Sequence, residues 1–442
     1  MHCIGNAARP LAGGNRRRSP DDMSTPAKPK ILFVCPNWPV DRTHGGQLRA
    51  LHIGRALKEC GDVSVVVVGA DATWPDAKER TAAEFRVVGE IKGAIVGRNF
   101  LARARRILDP RFRNVHAVLA SEQEQRRIYQ LAEAADIVWF LKLRSANILN
   151  RWHWPHSVMD IDDVPSTYSQ AARATAEKAI DRARRRLHVW VERRRERLLQ
   201  ERFTVLSVCS ELDRRLLGFA ERLHVIPNGF ERPAQIPMRN PASPPLIGFM
   251  GLFDYAPNHE GMRWFIDNCW PRIQEQIPGV RLRLVGSGTE GPQKPNHPTV
   301  DALGWVAEPA HEIASWSVMI IPIQTGAGTR IKLVDGFSRK CPVVSTAFGA
   351  LGYDVEDGRE LLIADTPQAF AAACVSLIRD RDSALCMAER AYSAFLDKWT
   401  WEAIAPRVWA AADECLRLSK SPQSSIDRAR SLRRIAPTQY LR

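Results

Sequence analysis

The 442-residue sequence contains nine cysteines but no C-x-x-C pair and no cysteine–histidine cluster at zinc spacing. Scattered thiols such as Cys35 and Cys374 sit inside apolar runs, as reduced core cysteines do, which excludes a disulfide framework and fits a reducing compartment. No apolar run is long enough to span a bilayer. The opening MHCIGNAARPLAGGNRRRSPDD lacks the apolar centre of a secretory signal. A cytoplasmic protein is expected, peripheral at most at the cytoplasmic face of a membrane. Aromatics make up only 8% of the chain and do not alternate with basic residues, so the net charge of +14 is no argument for a nucleic-acid partner. Much of that charge lies at the two ends, in Arg9 and Arg16 to Arg18, and in Arg428, Arg430, Arg433, Arg434 and Arg442.

What the chain does have is alternation. Short apolar strands are expected at 31–34, 63–68, 137–141, 158–161 and 203–208, with helical segments such as 45–59 between them. Strands of this kind imply parallel sheets covered by helices on both faces. The pattern stops between 231 and 246, where Pro233, Pro237, Pro241, Pro244 and Pro245 mark a linker, and it resumes with strands at 246–250, 281–285, near Ala302 and at 318–323. The resulting reading is an α/β protein of two Rossmann-like doubly wound domains facing a cleft. Residues 1–28 form a disordered extension, 29–231 an N-terminal domain, 232–245 the linker, 246–418 a C-terminal domain whose last helix can cross back, and 419–442 a basic disordered tail. A chain begun at Met23 is expected to fold.

The stretch 326–349, GAGTRIKLVDGFSRKCPVVSTAFG, concentrates the chemistry. Gly326 and Gly328 make a turn that feeds a helix, and such a turn leaves backbone N–H groups and the positive end of the helix dipole free beside it. Arg330 and Lys332 then stand at the end of the helix that disfavours cations. Two readings follow: a mouth for a phosphate or diphosphate, with Asp335 able to reach it, or a solvated helix start with ordinary surface charges. Residues 286–291 match G-x-G-x-x-G, but Pro292, Pro295 and Pro298 stand where a phosphate-binding helix would begin, so no dinucleotide site is assigned there.

In the first half, Gly45, Gly46 and Gln47 end a loop and open a helix, where glycines let backbone approach a phosphate or sugar or simply make a turn. Arg49 either adds charge to that face or solvates it. Asp160, Asp162 and Asp163 follow a strand, as acceptor-binding or polarising carboxylates or as turn formers. Residues 171–202 are rich in arginine and carry an apolar stripe of Ile180, Ala183, Leu187, Trp190, Val191 and Leu198, expected to be a core face.

Several stretches, in order, resemble the retaining nucleotide-sugar glycosyltransferases of glycosyltransferase family 4, in the branch that assembles bacterial polysaccharides and glycolipids. They are ILFVCPNWPVDRTHGGQLRALHIGRAL, SVMDIDDVPS, VLSVCSELD, VIPNGFE, GFMGLFDYAPNHEGMRWF, LVGSG, LGWV and GAGTRIKLVDGFSRKCPVVSTAFGALG. The resemblance implies a GT-B fold, a nucleotide-diphosphate sugar as co-substrate, retention of anomeric configuration, no obligatory metal and no further cofactor. It implies a donor site formed by Gly251, Asn258, Gly326, Ala327, Gly328, Thr329, Arg330, Lys332 and Asp335. Of two glutamates that many members carry eight positions apart, the second falls on Asp335, as a ribose partner, and the first on Ala327, which keeps no carboxylate. The loop after the strand at 246–250 lacks the family's two cations, so Arg330 and Lys332 are the substitutes expected to stabilise the leaving diphosphate, with Asp162 as a polarising carboxylate. The acceptor is expected to be a saccharide or lipid-linked molecule, with weak contact to an anionic membrane. A non-catalytic subunit or a basic membrane-associated binding protein are the alternatives.

Overall fold

The computed structural model describes residues 27–40, 45–69, 76–95, 104, 109, 118–167, 179–218, 221–292, 294–326 and 328–420. The expected extension before residue 27, the tail after 420 and Ala327 lie outside the described residues.

Two all-parallel sheets organise the chain. The first contains β1 Lys30–Cys35, β2 Asp62–Val68, β3 Arg86–Ile91, β6 Ile137–Leu141, β7 Trp154–Asp160, β8 Phe203–Val208 and β9 Leu223–Val225, in the order β3-β2-β1-β6-β7-β8-β9. A small antiparallel pair, β4 Ala94–Ile95 and β5 Val118–Leu119, stands apart from it. The second contains β10 Leu246–Met250, β11 Arg281–Val285, β12 Val300–Ala302, β13 Val318–Ile321, β14 Val343–Ser345 and β15 Leu362–Ile363, in the order β12-β11-β10-β13-β14-β15. Central strands read as unbroken apolar runs because helices cover both faces: all of β6 (IVWFL) and all of β13 (VMII) are buried. With helices interleaved between the strands, this is the doubly wound α/β architecture.

Each sheet reverses its winding once, between β1 and β6 in the first and between β10 and β13 in the second. Loops diverge at such points beyond the carboxyl ends of the strands, leaving a crevice. The loops that leave β1, β6 and β7 carry Asn37, Lys142 and Asp162, whereas β10 leads through Gly251 into the helix Ala256–Trp264, whose first turn holds Asn258, and the loop that leaves β13 carries Gly326. After β11, the G-x-G-x-x-G residues lead into turns, and no helix lies between Val285 and Val300 among the described residues.

The last helix, Trp401–Ser419, packs into the core of the first sheet through Trp401, Ile404, Val408, Ala411 and Cys415, beside Leu51, Leu57 and Trp139. Edge strands β3 and β9 escape the sequence pattern. β3 (RVVGEI) is mostly half-buried and interrupted by Gly89, and β9 has three residues. The helix Ala179–Glu196 corrects an expectation: Val191 is buried, but Ile180, Leu187 and Trp190 are 62%, 44% and 50% exposed, so most of the stripe is no core face.

Gly248 in β10 lies under the indole of Trp316, which a Cβ at this position would overlap. Gly248→Ala is therefore expected to lower stability by about 1–3 kcal/mol through overpacking, measured by denaturant unfolding. A change below about 0.5 kcal/mol would show that Trp316 can move aside.

Candidate functional site

In the first domain, charge is paired and sealed. Arg49 is fully buried on the helix Gly45–Cys60. Its Nε and Nη2 donate to the two oxygens of Asp160 at 3.1 and 2.8 Å. Nη1 donates to the carbonyl of Pro227 at 3.1 Å and to Asn228 Oδ1 at 3.0 Å, and Nη2 also donates to the carbonyl of Ile226 at 3.0 Å. Burial opposes the guanidinium charge, but attraction to Asp160, then Cys209 and Asp162, raises its pKa above the ordinary value. Neither Arg49 nor Asp160 has surface left for a ligand, so Arg49 neither adds charge to the loop face nor solvates the helix, as the sequence suggested, and Asp160 is no acceptor contact. Gln47 is likewise buried.

Asp162 is 5% exposed and fully engaged. It accepts from Lys142 Nζ at 2.7 Å, Cys209 Sγ at 2.9 Å and Asn228 Nδ2 at 3.2 Å. Burial works against its charge, yet Lys142 and Arg49 hold its pKa well below the usual carboxylate range. Lys142 and Asp162 both have φ of 61°, and Lys142 N–H donates to the Asp160 carbonyl at 2.7 Å. Two non-glycine residues in the left-handed region, facing one another at neighbouring strand ends, mark strain of about 1–3 kcal/mol each, held by this network. Gly46 packs beside them, where a Cβ would come within 2.9 Å of Asn37 Nδ2 and 3.9 Å of Lys142 Nζ. Asp163 is only half-buried; desolvation and then the charge of Asp162 push its pKa up to about 6.

In the second domain, the glycine turn is real and its cations are gathered. Gly326 and Gly328 have φ of 119° and 75°, and the helix Ile331–Ser338 follows. Arg330 stands immediately before that helix, donates through Nη1 to the Gly328 carbonyl and lies 5.0 Å from the Phe348 ring centre. Lys332 Nζ donates to Asn258 Oδ1 at 2.5 Å and lies 4.3 Å from the centre of the Phe249 ring. Gly251 closes the same corner, since a Cβ there would stand 2.9 Å from both Lys332 Nζ and Asn258 Nδ2. No carboxylate lies within ion-pair distance of Lys332 among the described residues. Desolvation, then repulsion from Arg330, lowers its pKa to about 7. Desolvation lowers the pKa of Arg330 too. Asp335 is turned inward, 4% exposed, and accepts from Arg339 Nε at 2.8 Å, so a ribose there would compete with Arg339.

The two halves meet at Asn228, whose Nδ2 donates 2.8 Å across the cleft to Thr329 Oγ1. Behind Thr329 stands Gly352, where a Cβ would come within 2.6 Å of Thr329 Cγ2. Sequence reasoning passed over Lys142, Cys209 and Asn228. Lys142 follows a strand with no motif around it, whereas Asn228 lies inside VIPNGFE and could have been singled out there. Among the described residues no group of three His, Cys, Asp or Glu side chains is placed to hold a metal ion, and no helix is long and apolar enough to cross a membrane.

Two parallel doubly wound sheets with their loop crevices turned to a shared cleft define the GT-B fold of glycosyltransferases. Solved structures show the same architecture. Sucrose-phosphate synthase from Thermosynechococcus elongatus aligns at 16% identity with a TM-score of 0.59, covering 88% of this chain and 100% of its own. Anabaena HepE, solved in complex with UDP and glucose, aligns at 16% identity with a TM-score of 0.57, covering 87% and 99%. WaaG, a glycosyltransferase involved in lipopolysaccharide biosynthesis, aligns at 14% identity with a TM-score of 0.53, covering 87% and 98%. Residues 244–380, which hold the glycine turn and its cations, match the family model "Glycosyl transferases group 1". A Klebsiella pneumoniae protein described as an "Uncharacterized 44.6 kDa protein in cps region" is 24% identical over 157 residues, a match that spans 33% of this chain and 40% of that relative.

A cation held near pKa 7 gives a direct test of the anion mouth. At about pH 8 Lys332 is largely neutral, and a bound diphosphate favours its ammonium form, so binding must take up a proton. Calorimetric titration with a nucleoside diphosphate, in buffers of different ionisation heat, is expected to show this uptake. Lys332→Met abolishes it, and the absence of uptake in the unaltered protein would count against a diphosphate beside Lys332.

Proposed function

We propose that the protein is a glycosyltransferase that moves a sugar from a nucleotide-diphosphate sugar to a saccharide or lipid-linked acceptor, with retention of anomeric configuration. The observation that carries this reading is Lys332, a cation at the winding reversal of a sheet, held by an amide and a phenyl ring and, among the described residues, by no carboxylate. An ammonium desolvated in this way, with Arg330 beside it, is a site prepared for an anion. UDP-sugars are the first donors to test, because HepE was solved with UDP and glucose.

The chemistry follows from charge. As the bond from the sugar to the diphosphate breaks, negative charge grows on the leaving oxygen, and Arg330, Lys332 and the N–H groups around Gly328 stabilise it more than they stabilise the bound donor. The departing phosphate can then accept the proton of an acceptor hydroxyl that attacks on the same face, which yields retention without a covalent intermediate. No step calls for a metal, because these cations offset the diphosphate charge. Asp162 acts through Lys142, which it holds charged at the acceptor side, and is a positioning residue.

The helix Ala179–Glu196 supports a peripheral location. Ile180, Leu187 and Trp190 are exposed among Arg182, Arg184, Arg186, Arg193 and Arg197, and Arg194 lies 4.6 Å from the Trp190 ring centre. Apolar side chains flanked by arginines suit the interface of an anionic bilayer. Arg103, Arg105, Arg106, Arg111 and Arg113, which the sequence would add to such a contact, lie outside the described residues.

Two experiments test these statements. Arg330→Ala and Lys332→Ala are each expected to weaken nucleoside diphosphate binding and to lower turnover by about 10²–10³-fold. Asp335→Ala is expected to weaken nucleoside monophosphate binding as well, with some loss of stability from freeing Arg339. Unchanged diphosphate affinity in both cation variants would overturn the donor site, and donor binding without turnover on any acceptor would indicate a non-catalytic relative. In sedimentation with vesicles, binding should require anionic lipid and weaken with salt, each cation near the surface contributing about 1 kcal/mol. Leu187→Ser with Trp190→Ser should reduce it, and equal binding to neutral vesicles would rule out the electrostatic mode.

A further inference from the structure

The anion mouth of the second domain is faced by a carboxylate from the first. Asp163 Oδ1 lies against Gly328 and is the first atom that a side chain at this position would meet. One residue further on, Thr329 is held by Asn228, so the approach belongs to a fixed cross-cleft contact. Arg330, which follows, feels the charge: Asp163 is among the groups that favour its guanidinium against burial.

On its own side of the cleft, Asp163 is poorly compensated. Lys142 Nζ lies 2.7 Å from Asp162 Oδ2 but 4.0 Å from Asp163 Oδ2, so the nearest cation is committed to the neighbouring acid. Asp162 and Asp213 add repulsion. A carboxylate in like-charged company, directed at a glycine turn and an arginine, occupies the position of a stand-in for the anion expected there.

We propose that Asp163 is an internal competitor for the donor diphosphate, resting at the Gly328–Arg330 mouth in the unliganded chain and displaced by the donor toward Lys142. This inference rests on the donor site argued under Proposed function and adds a coupling between the two halves of the cleft. Donor arrival relocates a charge on the acceptor side, so the acceptor pocket is completed only after the donor is bound. Asp163 is a positioning residue in this scheme, because it contacts the mouth and not the reacting atoms.

Asp163→Asn keeps the shape and removes the charge, and Asp163→Ala removes the carboxylate altogether. Each is expected to bind UDP and inorganic pyrophosphate at least about fivefold more tightly than the unaltered protein by calorimetry, the lower range of ordinary coupling between sites. The gain should vanish when Arg330→Ala is also present, which a general relief of surface repulsion would not produce. Affinity that is unchanged or weakened in both Asp163 variants overturns the proposal. If the unaltered protein and all variants bind neither ligand, the donor site itself fails. If the Asp163 variants and the unaltered protein bind with equal affinity while Arg330→Ala still weakens binding, the donor site stands and the competitor role alone falls.

Discussion

Arg49 joins three separate parts of the chain with the five N–H donors of one buried guanidinium. Asp160 at the end of β7 takes two of them, the carbonyls of Ile226 and Pro227 take two more, and Asn228 takes the fifth. Removing one partner from such a buried pair costs about 3–5 kcal/mol, a large part of a net stability that is usually about 5–15 kcal/mol. The network therefore fixes the segment by which the chain leaves the first domain. It also orients Asn228, the residue that reaches Thr329, so the register between the two halves descends from a single side chain.

The two faces of the cleft handle charge in opposite ways. On the first, Arg49, Lys142, Asp160 and Asp162 largely satisfy one another, and the surplus is the half-buried Asp163. On the second, Lys332 rests on an amide and an aromatic ring, with no acid in range among the described residues. Surplus negative charge thus looks across at surplus positive charge. A diphosphate bound between them would neutralise the second face and leave the first to the acceptor.

Much of this was legible in the sequence because the signals are local. The apolar runs of β1, β6, β10 and β13 and the glycines at 326 and 328 each report their own structure, and the proline-rich segment marks where one sheet gives way to the next. What could not be read depends on distant partners. Arg49 looks like any helix cation until Asp160, 111 positions away, is placed beside it. Even nearby, the sequence does not show that Arg339, one helical turn on, takes one oxygen of Asp335, the carboxylate that the resemblance sets beside a ribose. The stripe from Ile180 to Trp190 has the spacing of a core helix, and only the fold reveals that nothing in the described chain covers it.

Among the described residues the polypeptide passes between the two domains twice, and the passages lie side by side. Phe230 N–H donates to the Trp399 carbonyl at 2.9 Å, Phe230 pairs with Thr400, and the helix from Trp401 returns to the first sheet. A body attached to another by two adjacent covalent straps behaves like a door on one pivot: it can swing about the line through residues 230 and 400 but resists sliding and twisting. Any opening of the cleft about that line would move Thr329 away from Asn228 along an arc, and closing would return it to the same place.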